Sequence, residues 1–145
     1  MICCGFGHRD VFQNIDNELC EAVQKAMEMG CNVFYTGAMG DFDRCFSSAV
    51  RKQGKKIKLV CIKPYMSNEL NTNKEYYNCM YDDIIIPDEL AFVHYKSAIT
   101  KRNRWMIDNS DVVIVYVIRN HGGAYDAMRY AERQNKTIIR VEKAK

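Results

Sequence analysis

The sequence predicts an α/β fold: one domain over residues 1–145, three layers deep, with a mostly parallel central sheet of about six strands. Three observations carry this expectation. Short runs of Val, Ile and Cys alternate with longer stretches whose apolar residues recur at helical spacing. The apolar runs are continuous, which marks strands covered on both faces. Strands that alternate with helices build a parallel sheet through right-handed crossovers.

Ile2-Cys3-Cys4 is the first strand, read as ending at Gly5. Ile15, Leu19, Ala22, Val23, Ala26 and Met27 then repeat at helical spacing, with Asn14 or Asp16 as the N-cap and Gly30 as the stop. Cys31–Tyr35 is a second buried strand, followed by a helix near Phe42–Gln53 that aligns Phe46, Ala49 and Val50. Ile57–Ile62 is a third strand closed by Pro64. Residues 65–82 are polar, rich in Asn and Tyr and without clear period, and read as a long loop with room for a short helix near Asn68–Met80. Asp83–Ile86 is a short strand. A helix over Ser97–Asn109, the strand Asp111–Val117, a helix over Gly123–Gln134 and the strand Thr137–Val141 complete a doubly wound, Rossmann-like order.

The bulk composition narrows the function. Apolar content of 48% and charged content of 27% fit a soluble globular domain. A chain of this size buries about 68–70% of its unfolded surface, enough for one core. The net charge of +3 is small and the basic residues are scattered, which argues against nucleic acid as a partner. The longest apolar run, Val112–Ile118, has seven residues, against about 20 for a membrane span, and no signal peptide is visible. Seven cysteines without a CxxC pair favour reduced thiols and a cytoplasmic setting over disulfides. His8, His94 and His121 lie far apart in sequence, so no metal site is expected.

Three loops leave strands at the sheet's carboxyl edge, where such folds bind ligands. They are Gly5-Phe6-Gly7-His8-Arg9-Asp10, Thr36-Gly37-Ala38-Met39-Gly40-Asp41-Phe42-Asp43 and Asn120-His121-Gly122-Gly123-Ala124. Glycine permits close backbone approach, and a helix opening at such a loop points free N–H groups at an anion. The first loop has G-x-G but not the third Gly of a dinucleotide fingerprint, and Thr36 ends the second strand where that fingerprint has an acid.

Each candidate also has a plainer reading. Gly5 and Gly7 serve a tight turn as readily as a ligand. His8 and His121 are hydrogen-bonders or ligand contacts. Arg9 binds phosphate or pairs with Asp10 or Asp43. Asp41 and Asp43 cap the following helix, hold a ribose hydroxyl, or supply acid/base catalysis if they converge. In the helix Ser97–Asn109, Arg102 and Asn103 lie between the buried side and solvent, where a guanidinium can clamp phosphate. Trp105 is core or a subunit contact.

Taken together, GHRD after strand one, TGAMGDFD after strand two, and RNRWMIDNSDVVIVYV with GGAYDAMRYA near the C-terminus resemble the SLOG superfamily, named from the Smf/DprA and Lonely Guy proteins. The closest likeness is to its small YpsA-like members. The resemblance implies a Rossmann-like fold that binds nucleotides or nucleotide-derived ligands, and homo-oligomers are common among such relatives. Lonely Guy relatives hydrolyse the N-glycosidic bond of nucleoside monophosphates with a PGGxGTxxE motif and an Arg in the preceding helix. Arg102 falls where that Arg would. His121 stands for the Pro, Tyr125 for the second-block Gly, Asp126 for the Thr and Arg129 for the catalytic Glu. A cation at that last position opposes an oxocarbenium-like centre.

The expected function is therefore recognition: sensing or sequestering a nucleotide or nucleotide-derived ligand, with no other cofactor implied. The expected ligand set is Gly5, Gly7, His8, Arg9, Thr36, Gly37, Ala38, Gly40, Asp43, Arg102, Asn103, Gly122, Gly123, Ala124 and Asp126. The alternative is a phosphoribohydrolase-like enzyme with a rebuilt carboxylate set drawn from Asp41, Asp43 and Asp126. A third reading makes the tyrosines at 65, 76, 77 and 81 a protein-binding loop.

Overall fold

The computed structural model describes residues 1–143, with the backbone alone at positions 69 and 71. Six strands are β1 (Ile2–Gly7), β2 (Val33–Thr36), β3 (Lys58–Ile62), β4 (Asp83–Ile85), β5 (Val112–Tyr116) and β6 (Thr137–Arg140). The helices are α1 (Asp16–Glu28), α2 (Asp41–Arg51), α3 (Asn68–Thr72), α4 (Lys74–Met80), α5 (Tyr95–Asp108) and α6 (Gly123–Arg133), with a 3-10 turn at Asp88–Leu90. The sheet order is β4-β3-β2-β1-β5-β6 and every pairing is parallel. The chain winds outward from β1 in one direction through β2, then restarts beside β1 at β5. The switch point of this Rossmann-like, three-layer sheet thus lies between the ends of β1 and β5.

Two apolar layers flank the sheet. Leu19, Phe42, Phe46 and Tyr77 belong to one, while Met106, Ile107, Ala127 and Met128 belong to the other. Successive strand residues alternate between them, as the period of two requires: Cys3, Val112 and Ile114 face the first layer, Cys4, Val113 and Val115 the second. Burying a Phe such as Phe42 or Phe46 is worth about 2–3 kcal/mol.

Two expectations are corrected. β1 does not stop at Gly5 but runs to Gly7. Both glycines lie inside the strand because α2 packs directly on them: an added Cβ would sit 2.8 Å from the Phe46 ring at Gly5 and 2.2 Å from Phe42 Cγ at Gly7. Residues 65–82 are helical over the expected Asn68–Met80 span, but as two short helices rather than one short helix in a long loop. Tyr77 and Tyr81 anchor them by entering the core, whereas Tyr65 and Tyr76 are exposed. That splits the proposed tyrosine surface between core and solvent. The Gly30 stop is met at φ +110° after the C-cap Met29.

Candidate functional site

A cavity of about 370 Å³ opens at the switch point. Its floor is the end of β1 and its walls are the loops after β1, β2 and β5, closed by one side of α5. Gly5, Gly7, His8, Arg9, Gly37, Gly40, Asp43, Arg102, Asn103, Gly122, Gly123 and Ala124 all line it. Asp126 lines a neighbouring cavity instead, and Thr36, Ala38 and Asp41 line neither.

His8 joins the two halves of the switch point. The ring is 5% exposed, and its Nε2 accepts the Ile118 N–H at 2.9 Å. Burial lowers its pKa, and the charges of Arg119 and His121 push the same way. The neutral ring with Nε2 accepting carries its proton on Nδ1. His8 itself lines the cavity.

The β2 loop is built by internal bonds. Thr36, fully buried, accepts the Ala38 N–H at its Oγ1 at 3.3 Å. Ala38 holds φ +54°, a left-handed conformation uncommon for a residue with a Cβ. Asp43, in the first turn of α2, accepts the Met39 N–H at 2.8 Å and fixes the approach to the helix. Burial pushes its carboxyl pKa up; the Met39 bond and the charges of Arg102, Lys63 and Arg44 offset part of that. Asp41 points elsewhere. One oxygen accepts the Val11 N–H at 3.1 Å and the other pairs with Arg44, so its carboxylate pins the β1–α1 loop outside the cavity.

Arg102 is a strut before it is a ligand contact. Its side chain is buried, and Nη1 donates to Ile62 O at 2.9 Å and Gly37 O at 3.3 Å. Nε donates to Asn103 Oδ1 at 2.9 Å, and Nη2 lies 3.0 Å from Met39 Sδ. Burial lowers its pKa and Asp43 opposes the shift. The guanidinium thus ties the ends of β2 and β3 to α5. A fork-like clamp on phosphate would require it to give up these partners.

The opposite wall is open. Gly122 holds φ +97° as the N-cap of α6. The first N–H groups of α6 have no helical partner and lie at the positive end of the helix dipole. A Cβ added at Gly122 or Gly123 would meet nothing within 4 Å. Arg119 and His121 from the β5–α6 loop line the same cavity, as do Phe6, Met39 and Ile99. Arg119 escaped the sequence reading because it lies just beyond the apolar run, outside the glycine loop; a cation at that position of the central strand is the signal that marks it. Neither Arg9 nor Arg119 makes an ion pair among the described residues. The pairing of Arg9 with Asp10 or Asp43 is absent; Arg9 instead offers its backbone oxygen to the Asp41 N–H at 2.7 Å.

Among the described residues no three His, Cys, Asp or Glu side chains converge to hold a metal, and no helix is long and apolar enough to cross a membrane.

Neither a protein-family model nor a curated protein matches the sequence. Solved structures do match. DNA processing protein A from Helicobacter pylori, described for its single-stranded DNA binding mode, superposes with a TM-score of 0.70 at 16% identity, over 99% of this chain and 66% of that one. The same protein from Streptococcus pneumoniae gives 0.71 at 14% identity, over 98% of this chain and 50% of that one. A molybdenum cofactor carrier protein from Chlamydomonas reinhardtii gives 0.60 at 14% identity, over 96% and 74%. This chain thus spans two thirds or less of the two DNA processing proteins. At such identities the likeness is one of architecture: the chain has a Rossmann-like fold similar to that of DNA processing protein A.

Proposed function

We propose that this domain binds a nucleotide or nucleotide-derived ligand at the switch-point cavity, as a recognition module that senses or sequesters it. The observation that carries the reading is the convergence of donors without matching acids. The start of α6 at Gly122 and Gly123, the cationic residues Arg9 and Arg119, and His8 all line one cavity, and Asp43 is its sole lining carboxylate among the described residues. A phosphate satisfies that set through charge-assisted hydrogen bonds. The β2 loop supplies backbone groups for a ribose or base. Calorimetric titration and thermal shift with nucleoside mono- and diphosphates test this. A ligand at 100 times its Kd adds about 2.7 kcal/mol of stability; no shift with any of them overturns the reading.

One observation favours a hydrolase as the second reading. Asp43 lines the cavity and burial raises its pKa, the condition a general acid needs. Release of free base from nucleoside monophosphates, abolished by Asp43→Asn, is the outcome that selects it.

A further inference from the structure

A second cavity, of about 410 Å³, lies between α5 and α6. Ile99, Asn103 and Gly123 line both cavities, so the two meet at the start of α6. Gly123 is the one of the three without a side chain, and a Cβ there would meet no atom within 4 Å. A ligand chain can therefore cross from one cavity to the other over bare backbone.

The second cavity has its own recognition chemistry. Tyr130 is fixed by donating its hydroxyl to Asp108 Oδ1 at 2.7 Å. Two guanidiniums rest on its ring, Arg104 at 5.1 Å and Arg133 at 5.9 Å from the centroid. Such stacking orients an Arg and leaves its N–H edges available for phosphate. Neither cation has an ion-pair partner among the described residues, whereas nearby Arg129 is turned to Glu132 at 3.1 Å. Tyr125 adds a second ring to the lining, and Asp126 an acceptor for hydroxyl or amino groups.

We propose that the ligand is a dinucleotide: one nucleotide unit in the switch-point cavity, the second in the α5–α6 cavity, and the linkage crossing Gly123. This rests on the nucleotide reading above and specifies its substrate class. A phosphate and a base meet cations and rings in each half. A long single strand fits less well, because the net charge is only +3 and tracking a polyanion demands a continuous basic groove.

The test compares AMP, the 5′-phosphorylated adenylyl dinucleotide and an adenylyl decamer by calorimetry on the whole chain. The wild type should bind the dinucleotide at least about ten-fold more tightly than AMP. The double variant Arg104→Ala/Arg133→Ala, at two exposed positions, should erase that advantage and leave AMP affinity within about two-fold. A dinucleotide no tighter than AMP, or an advantage that survives the double variant, overturns the proposal alone. A decamer about ten-fold tighter than the dinucleotide overturns it in favour of a strand-binding groove. Failure of every ligand to bind overturns the nucleotide reading and this proposal together.

Discussion

The glycines of the two walls of the switch point serve opposite ends. On the β1–β2 side, Gly5, Gly7, Gly37 and Gly40 are crowded: a Cβ would press on Phe46, Phe42, the Arg102 guanidinium and the Arg9 backbone respectively. On the α6 side, Gly122 and Gly123 face open space. One wall is glycine-rich because protein approaches the backbone; the other leaves its backbone bare for something else to approach. A cluster of glycines at a sheet edge is thus two signals that read alike in sequence.

Substitutions can break this contrast. The largest effect is expected at Gly7→Ala, where the added methyl meets Phe42 Cγ at 2.2 Å. Overpacking of this kind costs about 3 kcal/mol, read from chemical denaturation. The cost should shrink in a Phe42→Leu background, since the two positions are coupled; an undiminished cost would place the strain elsewhere. Gly122→Ala should cost about 1–2 kcal/mol, for conformation alone, because φ +97° disfavours any Cβ even in open space.

His8 bridges the two walls, and acid should separate them. Its folded pKa is lowered, so near the ordinary His range the unfolded chain binds more protons. Stability should therefore fall as pH drops from about 7 to about 5. In His8→Gln the amide oxygen can still accept the Ile118 N–H, and that portion of the pH dependence should disappear from the melting curves. The smallest effect on stability belongs to Gly123→Ala: within about 0.5 kcal/mol of wild type, with nucleotide affinity as the quantity that moves. A large loss of stability there would show that this wall, too, is packed.

Much of the architecture was legible because the strands announce themselves. Val112–Tyr116 is apolar throughout and buried throughout, and α1 and α6 keep their helical period. β1 extends past Gly5 to Gly7, which the sequence hides because glycine counts as a strand terminator unless a partner such as Phe46 is known to need the room. The helices at 68–80 were faint for a related reason. Their anchors are tyrosines, whose amphipathic rings serve core and surface alike. At the site, loop positions were visible and side-chain engagement was not. Arg102 was found on the right helix, yet nothing in its neighbours in sequence reports that Ile62 O and Gly37 O already occupy it. Asp41 and Asp43 stand two residues apart on a helix, which points one away from the cavity and the other toward it.

The strut made by Arg102 has a consequence for how this chain can vary through descent. Its guanidinium lies 3.0 Å from where a side chain at Gly37 would begin, and it also bonds the Gly37 oxygen. Positions 37 and 102, 65 residues apart, therefore behave as one heritable unit. Among homologous chains, a residue larger than glycine at 37 should accompany a shorter residue at 102, and the exchange should proceed through the change at 102 first, because the reverse order passes through an ancestor with two groups in one space.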